Sequence, residues 1–116
     1  MKPLDRDRGI LEHIICYCNQ IEQTILRFGN EYAVFSGDPI YRNAVALCIL
    51  QIGELVGKLS EAFRVHHAEI PWRQIKAMRN IVAHSYGTVD SETTWEVIQD
   101  DIPRLKAFCQ HVLENA

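Results

Sequence analysis

Residues 38–59 read Asp38-Pro39-Ile40-Tyr41-Arg42-Asn43-Ala44-Val45-Ala46-Leu47-Cys48-Ile49-Leu50-Gln51-Ile52-Gly53-Glu54-Leu55-Val56-Gly57-Lys58-Leu59, a run with the marks of a long buried helix. Asp38 is a residue type that accepts from the orphan amides of a helix start, and Pro39 fits the first helical position, where its missing N–H is not needed. Apolar side chains at Tyr41, Ala44, Val45, Leu47, Cys48, Ile49, Ile52, Leu55, Val56, Leu59 and Phe63 wrap well over half of the circumference. That coverage fits the central helix of a bundle and predicts helix to about His66. Gly53 and Gly57, four apart, predict a close approach by another helix backbone. Glu54, an acid in an apolar stretch, reads first as part of a solvent-facing polar stripe and second as a functional carboxylate, and it is left out of the catalytic set.

On the N-terminal side, Ile10, Ile14, Cys18, Ile21, Ile25 and Phe28 recur at alternating steps of four and three, which predicts an amphipathic helix over about 5–28. Gly29-Asn30 ends it, and a loop or short helical turn through Glu31–Gly37 follows. On the C-terminal side, His66-His67-Ala68-Glu69-Ile70 reads as a solvated connection. Pro71 then opens a helix with Trp72, Ile75, Met78 and Val82 inward, ending near Ala83–His84, with Gly87 marking the break. Asp90 and Glu92 sit at the start of a last helix, where acids suit the positive end of the macrodipole. Its stripe Trp95, Ile98, Ile102, Leu105, Cys109 and Val112 crosses Pro103 unbroken, which predicts a helix kinked near Ile102. No segment alternates with period two, so the expected fold is an all-α, up-and-down bundle of four to five helices, with residues 1–116 as a single helical domain.

The chain has 116 residues, too few for a doubly wound dinucleotide enzyme or a (β/α)₈ barrel. Lys and Arg number 12 against 15 Asp and Glu, a net charge of -3, so no global basic field marks a nucleic-acid binder. The distribution is uneven: residues 59–87 hold 4 basic and 2 acidic side chains, residues 88–116 hold 2 and 6. The charged start, Met1-Lys2-Pro3-Leu4-Asp5-Arg6-Asp7-Arg8, leads into no apolar secretory segment, and no uncharged apolar run approaches the ~20 residues of a membrane span. These features read as cytoplasmic. Cys16, Cys18, Cys48 and Cys109 form no Cys-x-x-Cys and read as buried reduced thiols, with Cys16 and Cys18 ~200° apart on a helix.

Chemistry concentrates in Met78-Arg79-Asn80-Ile81-Val82-Ala83-His84-Ser85-Tyr86-Gly87. Arg79 can hold a phosphate bidentately and offset charge that builds on it. His84 is of the type that exchanges protons at physiological pH, and Asn80 can orient either group. Five residues turn an ideal helix by ~500°, so Arg79 and His84 stand ~140° apart and converge only if the helix ends at His84 or a second copy supplies the complement. By spacing alone, an Arg and a His near a helix terminus are more often a cap and a surface charge than a catalytic pair. The adjacent His66-His67 lack the i,i+4 spacing with which two imidazoles meet one ion, and the Glu and Glu-x-x-His set of di-metal bundles is missing.

The longer string Trp72-x5-Met78-Arg79-Asn80-x3-His84-x-Tyr86-x3-Asp90-x4-Trp95, in a helical chain that also carries Ile52-Gly53-Glu54, resembles the HEPN domain in its HepT-like toxin branch. Arg79, His84 and Tyr86 fill the R-x4-H-x-Y signature. The resemblance implies a metal-independent endoribonuclease without a cofactor, with Arg79 and His84 as the catalytic pair and Asn80 assisting. It also implies a homodimer in which two motif helices line one cleft, RNA as substrate, and a nucleotidyltransferase antitoxin of the MNT type that adenylylates Tyr86. Arg73 and Lys76, on the outer side of the motif helix, read equally as contacts to RNA phosphates and as solvated surface charges. Ser85 and Gly87-Thr88 depart from the Gly and aromatic of many relatives, which bears on the local loop shape. The rival expectation is a catalytically inactive HEPN bundle that serves as a binding module or as a nucleotidyltransferase's partner subunit.

Overall fold

The structure, a computed structural model, describes residues 5–84 and 91–115, without the side chains of residues 81–84. Helix α1 spans Asp5–Phe28 and buries Ile10, Ile14, Cys18 and Ile21 of the predicted stripe, with Leu11 buried beside them. It ends at Gly29, whose φ of 111° lies in the left-handed region and whose N–H donates to the Ile25 carbonyl at 2.8 Å. A short α2, Tyr32–Gly37, follows and drives Phe35 fully into the core against Tyr41 and Trp95. The Tyr41 hydroxyl donates to the Gly29 carbonyl at 3.1 Å, which ties the α1 terminus to the next helix.

Helix α3, Pro39–Lys58, begins as its sequence predicts, with the Asp38 carboxylate accepting from the Ile40 amide at 2.9 Å and the Tyr41 amide at 3.4 Å. It lies between α1 and α5 and buries Tyr41, Val45, Cys48, Ile49, Ile52, Gly53 and Val56. Ile40 and Leu47 remain largely exposed, so its apolar coverage exceeds what this chain's own core uses. Among the described residues α3 is the one helix long and apolar enough to cross a bilayer by length and composition. The sequence expectation therefore holds for uncharged runs only, since Arg42, Glu54 and Lys58 interrupt this one.

The predicted extension to His66 is corrected. The backbone turns extended at Leu59 and Ser60, and a separate α4 covers Glu61–His66. Ser60 caps α4 by accepting from the Phe63 amide at 3.1 Å, while its own N–H and hydroxyl donate to the two oxygens of Asp7 at 2.9 and 2.7 Å. Asp7 is 1% exposed, so a buried carboxylate from the start of α1 fixes the break.

The reading of His66-His67 as a solvated link is also corrected at His67. Its ring packs on Phe63 and Phe108 at centroid distances of 4.5 and 5.3 Å, and its Nε2 is buried without a hydrogen-bond partner among the described residues. The His67 carbonyl accepts from the Trp72 indole at 3.0 Å, which anchors the start of α5, Trp72–His84. Trp72, Ile75 and Met78 are buried; the side chain of Val82 lies outside the described set.

Helix α6, Ser91–Glu96, continues through a π-helical turn, Val97–Asp101, into α7, Ile102–Glu114. At the position of the expected kink lies a π turn, in which the Ile102 N–H reaches back five residues to Val97 just before Pro103, which has no N–H to give. Helix α7 closes the all-α bundle on α1, where Lys106 pairs with Glu22 at 3.0 Å. The reading of four buried thiols is corrected at Cys16, which is exposed, while Cys18, Cys48 and Cys109 are buried, all four as free thiols. Burial pushes the Cys18 thiol up to about 12 and raises those of Cys48 and Cys109 as well.

Candidate active site

Three of the four inward positions expected on α5 hold it against the core, which turns the remaining side chains of the motif helix away from it. Arg73, Lys76 and Asn80 are exposed, and the Arg79 side chain is 42% exposed at the seam with α3. The seam is tight: a β-carbon at Gly53 would stand 2.6 Å from the Arg79 β-carbon and 3.6 Å from its α-carbon. One turn along, the Lys76 stem lies over Gly57, with its Cε 3.5 Å from where a β-carbon there would be. The predicted close approach at the two glycines is therefore between α3 and the motif helix, and each glycine seats one cation.

That approach brings Glu54 to Arg79. The Arg79 Nε donates to the Glu54 carboxylate, and its Nη1 donates to the Asn80 side-chain oxygen at 3.3 Å. The guanidinium is held on one edge by the acid and along its length by Asn80, which leaves Nη2 uncommitted among the described residues. Sequence reasoning placed Glu54 on a solvent-facing stripe. It is 48% exposed, and it also makes the site's ion pair. The signal was an acid directly after a glycine in an apolar run, which only the α3–α5 register turns into a partner for Arg79.

His84 is the last described residue of α5, and the expected helix end at Ala83–His84 borders residues outside the described set. The backbone puts position 84 one turn beyond Asn80. The His84 side chain and all of Ser85, Tyr86, Gly87 and Asp90 lie outside the described residues. Among the described residues no three His, Cys, Asp or Glu side chains gather as metal ligands.

The sequence model of the family described as "Ribonuclease HepT-like" matches residues 14–112, which include the motif and both helices of the seam. A protein of Caldanaerobacter subterraneus subsp. tengcongensis is 32% identical over 108 residues, 93% of this chain and 95% of its own. One of Methanocaldococcus jannaschii is 31% identical over 85 residues, 73% of this chain and 70% of its own. One of Thermococcus cleftensis is 38% identical over 63 residues, 54% of this chain and 57% of its own. The first two carry provisional RNase names, and the third is provisionally named ribonuclease HepT. No solved structure matches.

Proposed function

The chain belongs to the HepT-like ribonuclease family, and on that premise we propose that it is the endoribonuclease toxin of a HEPN/MNT toxin–antitoxin system, cleaving RNA in the cytoplasm as a homodimer without a metal. The observation that carries the reading is Arg79: the motif arginine stands half-exposed at a helix seam, aimed by Glu54 and Asn80 and open to a phosphate on its free edge.

Two copies whose motif helices line one cleft bring a second Arg79 and a second His84 to the scissile bond, which offsets the ~140° that separates positions 79 and 84 on an ideal helix. In that cleft two Arg79 side chains hold the scissile phosphate and offset the charge that grows on it. The His84 of one copy takes the proton of the ribose 2′-hydroxyl, and the 2′-oxygen attacks phosphorus. The bond to the 5′-oxygen breaks as the His84 of the other copy protonates it, which leaves a 2′,3′-cyclic phosphate and a free 5′-hydroxyl. Adenylylation of Tyr86, two residues from His84, silences this chemistry, since the added phosphate's negative charge repels the RNA phosphate from the same place.

The test uses the unmodified protein, the nucleotidyltransferase partner and ATP. The reading expects cyclic-phosphate ends on the cut RNA, a mass gain of one AMP that Tyr86→Phe abolishes, and loss of cleavage on modification. Ends bearing a 3′-hydroxyl contradict the cleavage chemistry. Continued cleavage by the modified protein contradicts the silencing. The net charge of -3 favours the rival reading, an inactive bundle that only binds, and that reading predicts no cleavage at all.

A further inference from the structure

We propose that the open groove between α4 and the start of α5 is a phosphate track for single-stranded RNA flanking the scissile bond, with Arg64, Arg73 and Lys76 as its cations. This rests on the ribonuclease reading and extends its site by a second surface. The groove encloses about 730 Å³ and sets Arg64, Arg73 and Lys76 against one acid, Glu61. Its net charge of +2 contrasts with the -3 of the whole chain.

The three cations have no acidic partner among the described residues. Among the described residues Lys106 has Glu22 and Arg79 has Glu54, whereas Arg64, Arg73 and Lys76 form no ion pair, and the Arg64 Nε is buried without a hydrogen-bond partner. Unpaired cations gathered in a concavity attract a polyanion more strongly than the same charges scattered on a convex surface.

The groove also leads to the reaction centre. Lys76 and Arg79 are seated on Gly57 and Gly53, one turn apart on α3, so the first cation of the track and the motif arginine share one seam. Along α5, Arg73, Lys76 and Arg79 follow at three-residue steps, each a rise of roughly 4.5 Å with a turn of about 60° back around the axis, so the cations form a winding row that ends at the motif arginine. Arg64 enters from α4 and gives the groove its opposite wall. Val65, 68% exposed, with the exposed Ala68 and Pro71, gives it an apolar edge that suits unstacked bases, which a paired helix keeps inside.

The test compares wild-type protein with Arg64→Gln, Arg73→Gln, Lys76→Gln and the triple variant on a long single-stranded oligoribonucleotide and on a dinucleoside monophosphate, which has no flanking phosphates. Each single change is expected to raise KM for the oligonucleotide about three- to tenfold, with kcat nearly constant, and to lower its kcat/KM relative to that of the dinucleotide. The slope of log KM against log salt should fall by roughly 0.7 per contact removed. A folded triple variant with wild-type KM and salt slope overturns the track. So does a triple variant that loses only the nucleotidyltransferase, which would make the groove a protein-docking face. Should the wild type cut nothing, the ribonuclease reading fails. The track is then judged by fluorescence anisotropy of the same oligonucleotide on His84→Ala with and without the triple change, and equal binding overturns it.

Discussion

Glu54 of α3 pairs with the Nε of Arg79 of α5 immediately beside Gly53, the point at which the two helices touch. Both side chains are close to half exposed, so the pair contributes at most about 1 kcal/mol to stability. Its larger effect is on where the guanidinium points. Glu54→Ala should lower kcat about tenfold with little change in the unfolding midpoint, and Glu54→Gln, which keeps an acceptor for Nε, should restore most of it. Steady-state kinetics beside urea unfolding measures both; a purely structural role predicts the reverse pattern, a shifted midpoint with kcat intact.

Gly53 and Gly9 make a controlled pair. Alanine gains up to about 1 kcal/mol of helix propensity at either position. A β-carbon at Gly53 would stand 2.6 Å from the Arg79 β-carbon, an atom fixed close to its backbone, whereas one at Gly9 meets nothing within 4 Å. Gly9→Ala should raise stability by a few tenths of a kcal/mol to about 1 kcal/mol, and Gly53→Ala should lower it by about 1–2 kcal/mol as α5 is pushed off the seam. Urea midpoints of the two variants that move in the same direction would contradict this packing.

The Asp7–Ser60 contact predicts a similar split. Asp7→Ala removes both acceptors from Ser60 at a buried site, and a loss of about 2–3 kcal/mol is expected. Asp7→Asn keeps one acceptor oxygen and should lose less. A wild-type unfolding midpoint for Asp7→Ala would show that the break between α3 and α4 is set elsewhere.

Thiol chemistry reports on the core. One equivalent, Cys16, should react quickly with a disulfide reagent in the native state, and three should react only on unfolding. Because burial raises the folded-state values of Cys18, Cys48 and Cys109 above the ordinary 9.0, the unfolded chain gives up those protons first as pH rises. Stability should therefore be full below pH 9 and decline from pH 9 toward about 12, the value to which Cys18 is raised, as thermal melts across that range would read. More than one fast thiol, or a flat melting temperature across it, speaks against the burial.

The parts of the fold governed by near neighbours were legible in the sequence. Asp38 and Pro39 start α3, Gly29 ends α1, and Gly53 and Gly57 mark the tight seam, because caps and close approaches depend on a few adjacent residue types. The break at Leu59–Ser60 was not, because the carboxylate that fixes it lies 53 residues earlier, at Asp7. His67 was misplaced for the same reason: its neighbour Phe108 comes from α7. At the site, the spacing of Arg79, Asn80 and His84 could be read directly, while the partnership of Glu54 with Arg79 required the register of two helices.

The most direct measurement of the central claim is RNA cleavage by protein shown to be unmodified by intact mass. It would be incubated with total and transfer RNA in EDTA beside Arg79→Ala and His84→Ala. The account predicts cleavage by the wild type that both variants lose by at least a hundredfold. Intact RNA in all three samples, or equal cleavage by all three, would contradict it.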